Sequence, residues 1–499
     1  MKKSIVSTLT LAVSAASAFA QTTVNSNVTT DTTWNLAGSP YILESTIFVN
    51  NNATLTIDPG VIVRGQPRTA STLPGALVIT QNGSIIANGN AGNPIIFTTA
   101  AIDVNADNVA DDDGEITPAL VKWTGSEAFL DDDPAGTPLP PLDGNGNATV
   151  SLWGGLIILG NAPTNVGTTG DTAVSNPQAQ VAHIEGLTKT NDTRYGGSFA
   201  NDNSGILRYV SVRHGGDEIG SANEINGITL GGVGAGTTME YCEVYMNFDD
   251  GFEFFGGTIN TNHLVVAFAG DDQFDGDQGW TGKNQFWFGV LPYFTVGSKN
   301  GDKGFEFDGD DGLAWDGVTL NTDTNSDLSF VTSPYSDYEV YNATLIGNAS
   351  ATGNSVSANG RIDLKSRFSG TIANGYFVNL GEQAGISDGG TFEVSVVNCT
   401  FGVATAGNVT DTNTVLGGFT TSGNFVGTTY TVVGGDQATV NGLNPRPQLG
   451  FPLTAYQTDL TVPAGYEQVS YRGAFDTDGS KDLWTKGWTV LNTQGILVD

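Results

Sequence analysis

One short phrase is written three times in the middle of the chain, and that repetition limits the fold more than any other feature. It runs Asp249-Asp250-Gly251-Phe252-Glu253-Phe254, then Asp271-Asp272-Gln273-Phe274-Asp275, then Asp302-Lys303-Gly304-Phe305-Glu306-Phe307. The second copy starts 22 residues after the first, and the third starts 31 after the second. A period of about 20 to 30 residues, carrying short apolar strands, Gly and Asn and no helical heptad, predicts a solenoid of stacked β-coils.

Stacking has a chemical consequence. Equivalent residues in successive coils lie about 4.8 Å apart, so Phe252, Phe274 and Phe305 are expected to form an inward aromatic column. The neighbouring acids then form a column of their own. Two carboxylates at that spacing repel by about 0.9 kcal/mol in bulk water and about 3.5 kcal/mol at an effective dielectric of 20. A stack of many acids therefore needs a cation, bound protons or full solvation. The expected ligands of structural Ca²⁺ here are Asp249, Asp250, Asp271, Asp272, Asp275, Asp277, Asp308, Asp310 and Asp311, because a hard cation takes six to eight oxygens. A second candidate is the run containing Asp103, Asn105, Asp107, Asp111 and Asp113, where oxygen side chains alternate along a loop. The competing reading of both sets is acids that flank corners and face water.

Charge supports a cation-binding protein. The chain carries 52 acidic against 19 basic residues, a net charge of −33, together with 25 Phe, 14 Tyr and 8 Trp. So many aromatic residues mark a folded chain and not an acidic disordered one. Its field repels nucleic acid and anionic membranes and attracts Ca²⁺. The partner expected is a carbohydrate or other cell-surface polymer, with no nucleic acid and no membrane insertion; an uncovered coil end leaves self-association open.

Residues 1–20 read as a secretory signal, with Lys2 and Lys3, an apolar stretch and Ala18-Phe19-Ala20 before Gln21. The expected product is secreted, extracellular or surface-held. An N-terminal cap and opening coils are expected over 21–100, an acidic Pro- and Gly-rich insertion over 101–150, and the main coil over 151–440 with about a dozen layers. A tail over 441–499 then packs on the rod or closes it. Asn342, Asn374 and Asn398 head a second echo, which predicts a ladder of Asn at one corner, since Asn tolerates left-handed backbone. Cys242 alternates with Val244 and is expected to be an isolated buried thiol. His183, His214 and His263 fit no metal spacing.

Several of these phrases resemble a large family of exported bacterial parallel β-helix surface proteins that includes spirochaete outer-membrane lipoproteins. They are Trp153-Gly-Gly-Leu-Ile-Ile-Leu-Gly160, Glu224-Ile-Asn-Gly-Ile-Thr-Leu-Gly231, Asp249-Asp-Gly-Phe-Glu-Phe-Phe-Gly-Gly257 and Tyr471-Arg-Gly-Ala-Phe475. The resemblance implies an all-β, right-handed, pectin-lyase-like parallel β-helix and no particular activity. Two function classes follow. One is a Ca²⁺-binding structural, adhesive or polymer-binding protein; the other is a polysaccharide hydrolase or lyase using paired Asp residues on adjacent coils. For a lyase the basic candidates are Arg361, Lys365 and Arg367.

Overall fold

A computed structural model describes residues 21–68, 72–101, 150–165, 181–220, 223–292, 296–299, 301–309, 314–315, 320–321, 334, 336–347, 362–365, 368–382, 385–386, 394–405, 414–415, 432–433, 437–438, 443–447 and 462–497. Residues 1–20, the Asp103–Asp113 run, Asp310, Asp311, Arg361 and Arg367 lie outside the described residues. The chain winds as a right-handed parallel β-helix with three strand segments per coil. Among the described residues, a nine-stranded parallel sheet forms one face, built by Thr46–Val49, Ala76–Ile79, Gly155–Leu159, Ile228–Gly231, Phe252–Phe255, Phe274–Asp277, Phe305–Asp308, Ile362–Lys365 and Gly385–Ile386. A 19-stranded sheet bends round the other two faces.

Register on the nine-stranded face is unbroken, and it places like above like. Ile47, Leu77, Leu156, Ile228, Phe252, Phe274, Phe305 and Ile362 form one inward column. All eight are buried. The Phe252 and Phe274 rings are stacked at 5.8 Å, and Phe305 meets Phe274 edge-on at 5.7 Å. In the next inward column Gly276 stands between Phe254 and Phe307. A Cβ there would come within 2.5 Å of the Tyr338 hydroxyl, which donates to the Gly276 carbonyl at 2.8 Å, so the missing side chain makes room for that ring.

The corner between the other two faces is a single residue in left-handed backbone, repeated coil after coil. Tyr209, Tyr241, His263, Phe286, Asn342, Asn374 and Asn398 all have φ between 49° and 58°. The Asn ladder expected from the sequence is present: Gln285 Nε2 donates to Asn342 Oδ1 at 3.2 Å, and Asn398 Nδ2 to Asn374 Oδ1 at 2.9 Å. The same column continues as an aromatic stack, with ring separations of 4.6 Å for Tyr209 on Tyr241, 4.3 Å for Tyr241 on His263 and 4.8 Å for His263 on Phe286. Left-handed backbone costs an L-residue about 1–2 kcal/mol, and contact with the corner above and below offsets it. Burial lowers the His263 pKa to about 3, so this ring is neutral.

The C-terminal stretch lies along that corner. Trp488 meets Tyr209 and Tyr241 edge-on, and Trp484 meets His263. Arg472, fully buried, donates to the Cys399 carbonyl, Thr400 Oγ1 and Asn398 Oδ1. Glu243 accepts the Val490 N–H at the start of the short helix Val490–Thr493. Cys242 and Cys399 are free and buried, as alternation implied for Cys242, and burial pushes each thiol up to about 12. Among the described residues of 151–440, seven strands stack in the nine-stranded sheet, and the rest of the expected dozen layers falls on residues outside those described.

Candidate carboxylate site

The outward side of the nine-stranded face changes character along the rod. Its column runs Phe48, Val78, Ile157, Thr229, Glu253, Asp275, Glu306 and Asp363. The apolar end is covered by Ile184 and Tyr195. The other end is four acids in register.

A second line of acids sits at the corner entering these strands. There, side-chain oxygens accept backbone N–H groups of the next coil: Asn226 Oδ1 from Asp250 at 3.2 Å, Asp250 Oδ1 from Asp272 at 2.9 Å, and Asp272 Oδ1 from Lys303 at 2.7 Å. Asp250 and Asp272 therefore do share one column, separated by a single coil. Lys303 occupies the next position and ends the run of acids.

Together the two lines make four groups in which carboxylate oxygens lie within 4.8 Å of one another: Asp249, Asp250 and Asp271; Asp250, Glu253 and Asp275; Asp271, Asp272 and Asp302; Asp272, Asp275 and Glu306. Each could hold a metal ion. The structure brings together five of the predicted residues, Asp249, Asp250, Asp271, Asp272 and Asp275. Asp277 and Asp308 lie on the same sheet but in none of the four groups, and Asp308 pairs with Lys365 at 3.4 Å. Glu253, Asp302 and Glu306 also belong to these groups and were not among the residues singled out from the sequence, although the repeated phrase put Glu253 and Glu306 in register with Asp275.

Three lysines enter this site; the repeated phrase itself places Lys303 there, whereas Lys299 and Lys365 come from outside it. Lys299 bridges Asp249 and Asp271, the latter at 2.8 Å. Lys303 pairs with Asp302 and reaches Glu306 at 3.3 Å, and Lys365 reaches Glu306 at 2.6 Å. Of the four groups, only Asp250, Glu253 and Asp275 contains no carboxylate in an ion pair among the described residues. Asn226 donates to Glu253 there. Asp275 Oδ1 is buried with no hydrogen-bond partner, and so is Oγ1 of buried Thr229, the in-register neighbour of Glu253.

Electrostatics follow from this geometry. Burial, reinforced by neighbouring carboxylates, raises the pKa of Asp250, Glu253, Asp272 and Asp275 well above the usual carboxylate range. Burial pushes Glu306 the same way, but its hydrogen bond with Asp272 and the charges of Lys365 and Lys303 win and bring it down to about 2. Burial works against charge on Lys299, Lys303 and Lys365 too, yet the surrounding acids raise all three. The donor set is all oxygen, without His or Cys, which suits a hard divalent cation and not zinc or copper.

A family model described as pectate-lyase like beta helix domain matches residues 26–110 and 143–489. No curated protein and no solved structure matches the chain. Among the described residues no helix is long and apolar enough to cross a membrane.

Proposed function

The chain belongs to the pectate-lyase-like β-helix family, and from that premise we propose an exported or cell-surface protein that binds Ca²⁺ and serves as a polymer-binding scaffold. The observation that carries the metal reading is the lysine-free group Asp250, Glu253 and Asp275, with the unpartnered oxygens Asp275 Oδ1 and Thr229 Oγ1 beside it. Three carboxylates this close, buried or half-buried and in no ion pair among the described residues, must otherwise keep protons. Ca²⁺ takes six to eight oxygens at about 2.3–2.6 Å. These residues would supply a minority of them, and water or backbone the rest. The rod then gains a staple between adjacent coils.

Calorimetric titration of EGTA-stripped protein tests this. Ca²⁺ is expected to bind, to release protons as the raised carboxylates ionise, and to raise the melting temperature, since a ligand of the native state alone stabilises it. Absence of both heat and melting shift sinks the metal reading. Export is tested by fractionating producing cells and finding mature protein that begins at Gln21.

One observation favours the rival reading of a polysaccharide hydrolase: burial raises the pKa of Asp250 and Asp272, and a general acid needs a carboxyl shifted in that direction. A lyase is less well supported, because Lys365 is held protonated by its acidic neighbours and so makes a poor base. Screening polysaccharides for turnover that Asp250→Asn abolishes decides for the enzyme; absence of turnover leaves the scaffold.

A further inference from the structure

Away from the acids, the C-terminal stretch leaves a groove beside the strands Thr238–Tyr245, Thr261–Ala267 and Lys283–Gln285. Thr238, Glu240, Asn260, Asn262 and Lys283 form its polar floor, and Tyr466 forms the wall. The cavity is about 320 Å³, at the small end of the range of about 300–1,000 Å³ for ligand sites.

The wall is fixed in place. Gln285 grips the backbone of Glu467 from both sides, Nε2 donating to its carbonyl and Oε1 accepting its N–H, each at 2.8 Å. The Tyr466 hydroxyl donates to Glu339 Oε2 at 2.6 Å, and its ring lies 4.6 Å from that of Tyr341. An aromatic surface is thus held ready without a ligand.

The floor has unused hydrogen-bonding capacity. Asn262 Oδ1 is buried with no partner. Lys283 Nζ lies 5.9 Å from the centre of the Tyr466 ring and makes no ion pair among the described residues. Glu240 is neutralised by Arg208 at 3.0 Å. A ligand that fits must offer both donors and acceptors, which hydroxyl groups do whichever way the Asn262 amide is turned. A cation meets Lys283. An anion meets the field of a protein with net charge −33. An apolar ligand would leave Asn262 unsatisfied and strip water from Lys283.

We propose that this groove binds a neutral sugar unit of a polysaccharide, its ring against Tyr466 and its hydroxyls on Asn262 and Lys283. The inference rests on the polymer-binding reading above and adds the place and the charge class of the polymer. Calorimetry with cellohexaose, laminarihexaose and mannohexaose, and with hexagalacturonate as the anionic comparator, tests it on wild type, Lys283→Met and Tyr466→Ala, each checked by its melting curve. At least one neutral hexamer should bind wild type more tightly than hexagalacturonate does. Its Kd should rise about tenfold in each variant, the equivalent of one good hydrogen bond or stacking contact. Undiminished binding in both variants overturns the groove and leaves the polymer reading standing. Preference for hexagalacturonate overturns the assignment to a neutral sugar. Binding of none of the four overturns both.

Discussion

Replacing Asp272 with Asn isolates charge from geometry at the centre of the acid column. The amide keeps an oxygen able to accept the Lys303 N–H, now held at 2.7 Å, and removes only the ionisable proton site. Asp272 belongs to two close groups; in one, Asp271 and Asp302 each pair with a lysine, and in the other each ionised pair with Asp275 or Glu306 repels by about 3.5 kcal/mol at an effective dielectric of 20. Lys303, which stands beside them, returns about one such pair, so an ionised Asp272 is unfavourable by about 3.5 kcal/mol. The wild-type protein escapes part of this by holding a proton, at about 1.4 kcal/mol per pH unit. In metal-free buffer at pH 7.5, Asp272→Asn is therefore expected to be more stable than wild type by about 1–3 kcal/mol.

The sign with pH is equally specific. An acid whose folded pKa is raised binds its proton more tightly when folded, so its contribution is present at low pH and is lost as pH rises through the folded pKa. The advantage of Asn over Asp must then shrink towards zero near pH 4, the ordinary carboxyl range. Urea denaturation midpoints of EGTA-treated proteins at pH 4 and 7.5 measure it. A variant less stable than wild type at pH 7.5, or an equal gain at both pH values, refutes the reasoning.

Other outcomes follow from the same structure. Phe274→Ala removes the middle ring of the inward column and should cost about 3–5 kcal/mol, read as a lowered urea midpoint with its partner rings Phe252 and Phe305 unchanged. Burial raises Glu243 to about 7, so its contribution to stability should fall by about 3 kcal/mol as pH rises from 4.5 through 7; Glu243→Gln, which keeps an acceptor for Val490, should remove that part of the slope in midpoint against pH. Lys299→Met takes the bridging cation from Asp249 and Asp271 and should lower stability without metal while tightening Ca²⁺ binding in calorimetry; weaker Ca²⁺ binding would count against competition between lysine and metal.

The amino-acid sequence by itself determined the coil, the identity of its inward column and the Asn corner. In a solenoid the important neighbours are residues at the same place in the next copy, and a repeat states that relation directly. Phe252, Phe274 and Phe305 are stacked because the phrase that carries them recurs, and Glu253 and Glu306 could have been added to the acid column by the same rule. Only the tertiary structure decided which acids are neutralised. Lys299 reaches Asp249 across 50 residues from outside the repeated phrase, so its position depends on how a loop returns to the rod. The aromatic half of the left-handed corner was equally hidden: Tyr209, Tyr241, His263 and Phe286 share no sequence signature, and what holds them there is contact with one another and with a C-terminal stretch more than 170 residues away in the chain. Periodicity fixes contacts between repeats, whereas contacts made by loops and tails depend on the path of the chain in space.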